Sequence, residues 1–259
     1  MPERTSYAPG TPSWIDIGTD VEAATTFYSG LFGWTFQSAG PDGGGYGFFT
    51  NANGRQIAGI GPQASPGPPF WAHYVTVADV DDTAGRAQAA GGTVVMAPFD
   101  VMDAGRMAVF QDLEGAFFSA WQPGTNVGCE VVNEPGAFCW SELNSRDLAK
   151  ATAFYPAVFG WDVADSEGEM EYAEWKLGGE SIAGMLPMPA DVPAEVPPYW
   201  LIYFAVDDAD ATAAKATDLG GQSMATMDWP PRGGSPSSRI PRARSSRSSP
   251  SPPEPSLAP

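Results

Sequence analysis

Two triplets carry an indole and a carboxylate two residues apart: Trp14-Ile15-Asp16 and Trp140-Ser141-Glu142. On an extended strand, residues i and i+2 share a face, so each triplet sets an aromatic surface beside an acid. That pairing suits a flat or cationic ligand, stacked on the ring and held by the charge. The same alternation extends the set. Ile15 and Ile17 suit a side covered by a helix, which turns Trp14 and Asp16 the other way. Val75 and Val77 do the same for the next strand, so Ala72, Tyr74 and Thr76 face with Trp14 and Asp16. Phe117 and Trp121 complete this first group, and Trp140, Glu142 and Tyr203 form a second. The structural counterpart is a small barrel filled by its own aromatics, with Asp16 and Glu142 hydrogen-bonded to neighbouring strands. A buried acid at a strand start still needs a reason.

Other chemistries leave no pattern. There is no GxSxG, P-loop, HExxH or dinucleotide-binding glycine motif. Gly43-Gly44-Gly45 precedes a strand rather than a helix and reads as a turn. The two cysteines, Cys129 and Cys139, have no zinc-type spacing, and neither a zinc site nor a disulfide is expected. His73 is the single histidine. It lies one residue out of step with Ala72 and Tyr74, so it is expected to face the helix layer or the sheet edge.

These side chains must be positioned by a repeated unit. The stretch Trp14–Trp34 returns as Trp140–Trp161: a short strand, an Asp-led helix ending on Phe-Tyr, and a turn closing on Phe-Gly-Trp. Asp20 suits an N-cap, Ala23, Ala24, Phe27, Tyr28 and Leu31 fall on one helical face, and Gly33 suits a left-handed C-cap. Three strands follow, around turns at 43–45 and 51–54. The order β-α-β-β-β recurs from Phe70, from Phe138 and from Tyr199. Pro-rich linkers at 64–69 and 187–198 separate the units within each half, and Ala58-Gly59 matches Ala183-Gly184. The expected organisation is a loose N-terminus at 1–11, a first domain at 12–123, a linker at 124–136, a second domain at 137–228 and a tail at 229–259.

The tail breaks the repeat. Where the first half continues AGRMAVFQDLEGAFFSAW, the second gives WPPRGGSPSSRIPRARSSRSSPSPPEPSLAP, rich in Arg, Ser and Pro. It lacks the apolar residues for two core strands and is expected to be disordered. One reading is a basic tail for an anionic partner. The reading preferred here is a shifted reading frame, because codons compatible with RGGSPSSRIPRA spell an apolar strand followed by Asp-Pro one nucleotide over.

Composition narrows the partners. Hydrophobic residues make up 43% and aromatics 12% of the 259 residues, enough for packed cores. The formal net charge of −18 argues against nucleic acid and anionic membranes. No apolar run approaches the length of a membrane span, and the N-terminus has no signal-peptide core, so a cytoplasmic protein is the expectation.

Four βαβββ units paired into halves, with the Trp-x-acid start, FY…FGW and the later Ala-Gly pair, resemble the vicinal oxygen chelate superfamily. That group includes glyoxalases, bleomycin-resistance proteins and extradiol dioxygenases, and the motifs look like those of the two-domain glyoxalase-like proteins of actinobacteria. It spans residues 12 to about 228. The resemblance implies an α+β fold in which each half is an incomplete barrel of tandem βαβββ modules, the last module here truncated or frameshifted. It also implies a concave pocket whose metal ligands come from the first and last strands of the units. Those positions hold Trp14, Ala72, Trp140 and Leu201 on the first strands and Ser119 on the terminal strand, none of them a competent first-row metal ligand. The ligand-binding set is therefore Trp14, Asp16, Tyr74, Ser119, Trp121, Trp140, Glu142 and Tyr203, with no cofactor and no metal. The expected function is binding of a small hydrophobic or aromatic molecule. The alternatives are a metal-dependent lyase, isomerase or dioxygenase of the same fold, and a non-catalytic structural protein.

Overall fold

The structure, a computed structural model, describes residues 3–64, 67–165, 172–190, 192–227 and 240–244. The first unit is β1 (Pro12–Thr19), α1 (Val21–Phe32), β2 (Thr35–Ser38), β3 (Gly47–Thr50) and β4 (Gln56–Pro62). Its helix starts where expected: the Asp20 carboxylate accepts the Ala23 N–H, satisfying one of the orphan donors of the first turn. It stops at Gly33, whose φ of 74° places it in the left-handed region that ends helices. The second unit is β5 (Phe70–Thr76), α2 (Val80–Ala89), β6 (Thr93–Val101), β7 (Gly105–Gln111) and β8 (Phe117–Pro123). The strand expected over 93–97 runs on to Val101, because two register shifts against β7 absorb its extra residues.

The third unit is β9 (Phe138–Ser145), α3 (Leu148–Phe159), β10 (Asp162–Asp165), β11 (Ala173–Leu177) and β12 (Glu180–Pro187). Asp147 and Gly160 cap α3 as Asp20 and Gly33 cap α1. The fourth comprises β13 (Tyr199–Phe204), α4 (Ala209–Asp218), β14 (Gln222–Met227) and β15 (Ile240–Arg244).

In the first half, β1 and β5 pair antiparallel and join two units into one eight-stranded sheet, β2-β3-β4-β1-β5-β8-β7-β6. In the second half, β9 and β13 make the same junction, but the described sheet has five strands, β10-β11-β12-β9-β13. β14 pairs with β15 in a separate ribbon. This differs from the expectation of disorder over the whole of 229–259: residues 240–244 add backbone ladder bonds to β14, which any sequence can supply. The rest of that stretch lies outside the described residues.

The helix-bearing faces of the two halves meet. One core cluster joins Val75, Val80, Phe110 and Phe118 of the second unit to Phe154, Tyr155, Trp161 and Trp200 of the second half. The other joins Ile15, Tyr28 and Trp34 of the first unit to Phe138, Ile202 and Phe204. Helix α2 packs on α3, and α1 on α4. Within these clusters a pattern repeats: the Trp71 indole N–H donates to the Tyr28 hydroxyl, and that of Trp200 to the Tyr155 hydroxyl, each at 3.0 Å. Tyr155 in turn donates to Asp112 across the halves at 3.0 Å. By alternation, the faces carrying Trp14-x-Asp16 and Trp140-x-Glu142 point away from this shared layer.

Candidate functional site

Register places the expected residues of the first half side by side. Trp14 lies opposite Tyr74, Tyr74 opposite Ser119, and Thr76 opposite Trp121. Asp16 lies between Gly59 on one side and Ala72 on the other, and Phe48 follows beyond Gly59. Asp16 is the chemical centre of this face. Its Oδ2 accepts the Tyr46 hydroxyl at 3.1 Å and the Tyr74 hydroxyl at 3.0 Å. A further donor stands behind each phenol: the Trp14 indole bonds Tyr46, and the Ser119 hydroxyl bonds Tyr74.

Tyr46 reaches Asp16 because β4 lacks side chains where the ring crosses it. A Cβ at Gly59 would stand 1.9 Å from the Tyr46 hydroxyl, and one at Gly61 2.8 Å from the ring. Burial sets the electrostatics. It pushes the Asp16 carboxyl up to about 6, and the two phenol bonds work in the opposite direction. The group is deeply set although the residue keeps part of its surface accessible. Burial and the neighbouring Asp16 charge push Tyr46 and Tyr74 well above the usual phenol value, so both remain donors.

The second half repeats the arrangement. A Cβ at Gly184 would stand 1.9 Å from the Tyr172 hydroxyl. The Trp140 indole donates to that hydroxyl at 3.0 Å, and Tyr203 donates to Glu142 Oε1 at 2.6 Å. Glu142 is buried, whereas Asp16 is half-buried. The structure therefore gathers all eight expected residues into two clusters. Several of them are packed rather than open: Trp14, Tyr74, Ser119, Trp121 and Tyr203 are each more than nine-tenths buried. The Trp121 indole is tied to the Asn126 carbonyl at 2.9 Å.

Tyr46 and Tyr172 were missed by sequence reasoning. The signal was present, since a tyrosine stands just before β3 and before β11, and an Ala-Gly pair recurs in the following strand. The pair looked like a fold mark because the ring that needs the missing Cβ is more than ten residues away.

The accessible parts of this face are aromatic and acidic. Phe70, two residues along β5 from Ala72, is 60% exposed, and its ring lies 6.5 Å from that of Phe117, itself 43% exposed. On the other side of Asp16, Phe48 borders a cleft of about 280 Å³ shared with Gln56, Met102, Asp103 and Glu130. A larger hollow of about 530 Å³ lies elsewhere, against α1, where Val21, Phe36 and Pro62 surround one carboxylate, Glu22. It offers no set of groups that act in concert.

A resident metal does not fit the donors. Where the fold would gather ligands in this half stand an indole, a methyl and a hydroxyl (Trp14, Ala72 and Ser119), with the Tyr74 phenol beside them and Asp16 as the one carboxylate. Among the described residues, no group of three or more His, Cys, Asp or Glu side chains gathers to hold an ion. His73 faces the strands of the other half: its ring stacks on Trp200 of β13 at 4.3 Å, its Nε2 lies 3.1 Å from Ser141 Oγ of β9, and burial pushes it down to about 3, leaving it neutral. Cys129 and Cys139 are free, and burial pushes both thiols up to about 12, so neither is a ready nucleophile.

A family profile for the Glyoxalase/Bleomycin resistance protein/Dioxygenase superfamily matches residues 17–119 and again 128–234. The chain belongs to that superfamily. The two matches cover the two halves described above. Among relatives, CFP32 of Mycobacterium tuberculosis, a protein named as a glyoxylase, is 42% identical over 236 residues, covering 87% of this chain and 88% of its own. The anthracycline biosynthesis protein DnrV of Streptomyces peucetius is 38% identical over 248 residues, covering 88% of this chain and 89% of its own. Among solved structures, the Mn(II)-bound glyoxalase of Novosphingobium aromaticivorans aligns with a TM-score of 0.58 at 16% identity, covering 83% of this chain and 72% of that one. The 2,2',3-trihydroxybiphenyl 1,2-dioxygenase of Sphingomonas wittichii aligns at 0.56 and 12%, covering 85% and 83%. At such identities the likeness is one of fold, which in this superfamily carries many chemistries. No helix among the described residues is long and apolar enough to cross a membrane.

Proposed function

We propose that this glyoxalase-like chain binds a small hydrophobic or aromatic molecule on the outer face of its first half, around Asp16, without a resident metal. The observation that carries this reading is the half-buried Asp16 carboxylate, held by two phenols and flanked by accessible aromatic surface at Phe48 and at the Phe70–Phe117 pair. Aromatic rings provide large contact area at low entropic cost, and one fixed polar group orients the ligand. The relationship to an anthracycline biosynthesis protein fits a flat aromatic ligand. A metal-dependent lyase or dioxygenase would need donors that Trp14, Ala72 and Ser119 do not supply.

The test is a tryptophan-fluorescence titration of the full chain with planar aromatic compounds, with metal analysis of the same preparation. Saturable quenching that weakens in Phe48→Ala is the expected result. Silence across planar compounds overturns the binding reading. Stoichiometric iron, manganese, nickel or zinc that is lost in Asp16→Ala overturns the metal-free part.

A further inference from the structure

We infer that the molecule held at Asp16 is a cation: an aromatic compound bearing a protonated amine, whose N–H groups donate to Asp16. This rests on the reading above and goes one step further, to the charge of the ligand. Both tyrosine hydroxyls converge on Oδ2, and among the described residues no hydrogen bond is recorded to Oδ1. One carboxylate oxygen is thus left for a ligand donor, in a residue that keeps part of its surface accessible.

No positive charge is recorded beside Asp16 among the described residues. The cations are engaged elsewhere: Arg106 with Asp81 and Asp100, Arg55 with Glu3, and Arg146 with backbone carbonyls at 192–196. Every group that the structure aims at Asp16 is a neutral donor. Two phenols can hold the carboxylate, but they leave its charge uncompensated in a desolvated setting, where an ion pair is worth more than in water. A ligand ammonium supplies the missing charge.

The surroundings favour the same sign. The cleft that reaches Phe48 is bordered by Asp103 and Glu130; Arg55 stands 3.9 Å from Glu130, which is also bound by the Gln56 N–H, while Asp103 adds a second acid. The partly accessible Phe48 ring, 6.2 Å from the packed Trp14 in an edge-to-face pair, adds a cation–π component. The chain's formal charge of −18 draws cations towards it. Glu142, which accepts from the Tyr203 hydroxyl, is buried, so Asp16 is the acid that a ligand can reach.

Three naphthalene probes test the inference by calorimetric titration of the full chain: 1-(aminomethyl)naphthalene, its N-acetyl derivative and 1-naphthoate. The expected result is binding of the amine at least about tenfold more tightly than the N-acetyl compound, and weakest binding of naphthoate, in line with the loss of one charge-assisted bond. Asp16→Asn is expected to erase the preference for the amine, and Glu22→Gln, in the separate hollow against α1, to leave it intact. Equal binding of amine and N-acetyl compound by the unaltered protein overturns the inference and leaves the aromatic-site reading standing. A preference that persists in Asp16→Asn overturns it too, by moving the charge to Asp103 or Glu130. Failure of all three probes overturns both readings together. The amine-to-acetyl ratio of the unaltered chain reads the inference even where a variant fails to fold.

Discussion

Replacing Gly59 with alanine tests the site through one methyl group. The added Cβ would lie 1.9 Å from the Tyr46 hydroxyl and 2.8 Å from the Asp16 Cβ, where ordinary contact begins at 3.4 Å. Tyr46 must therefore withdraw by about 1.5 Å, the gap between those two distances. The Tyr46–Asp16 bond, 3.1 Å long at rest, does not survive such a movement. Losing one hydrogen bond to a charged group costs ~1.5–3 kcal/mol, and overpacking the ring adds ~1–3 kcal/mol. Gly59→Ala is therefore expected to lower unfolding free energy by roughly 3 kcal/mol in urea titration. Its second signature is electrostatic. The Tyr46 bond lowers the Asp16 value, so its loss should move Asp16 upward from about 6, as read by carboxyl chemical shift against pH. Gly184→Ala, with the same 1.9 Å approach to the Tyr172 hydroxyl, should destabilise to a similar degree while leaving Asp16 unmoved. A variant at Gly59 that unfolds like the parent and titrates unchanged at Asp16 would show that Tyr46 is not seated on β4, and the reasoning about the site would fail with it.

Asp16 should also shape the pH dependence of stability. Its folded value, about 6, lies above the ordinary carboxyl value of 3.8, so the folded state holds this proton more tightly. The resulting stabilisation is complete below pH 3.8 and is lost as pH rises through about 6. Asp16→Asn should flatten this part of the profile, by up to ~2 kcal/mol once partial solvent access is discounted; an unaltered slope speaks against a desolvated Asp16. Tyr155→Phe should cost ~2–4 kcal/mol, because it leaves the Trp200 indole without its partner and removes the donor to Asp112 Oδ2, whereas Tyr28→Phe, whose partner is Trp71, should cost about 1 kcal/mol; equal losses refute the difference. Resequencing the gene tests the tail: a single-nucleotide correction at or just before the codons for RGGSPSSRIPRA should restore an apolar strand followed by Asp-Pro. The corrected protein should melt at higher temperature, each newly buried large side chain contributing ~1.5–3 kcal/mol. A confirmed frame, or a corrected protein no more stable, removes that explanation.

The repeated unit was legible because its signals are local. Asp20 and Asp147 cap helices through N–H groups two or three residues on, and Gly33 and Gly160 end them through their own φ. The facing of Trp14, Asp16, Tyr74 and Ser119 followed from the two-residue period of strands, and the observed register agrees with it. That His73 turns away from Trp14 and Asp16 followed from the same parity, although its neighbours are strands of the other half rather than a helix.

Packing over distance was not legible. Nothing near Trp121 or Tyr74 in the chain announces that each is covered to more than nine-tenths. Nor does a strand period reveal that the second unit shares its core with the third, so that Asp112 serves Tyr155. The sequence by itself determined the units, their caps and the side of the sheet on which the two acids stand, because each depends on neighbours a few residues apart. Only the tertiary structure decided what surrounds those acids. Tyr46 meets Asp16 across thirty residues of chain, over a glycine whose value lies in the side chain it lacks.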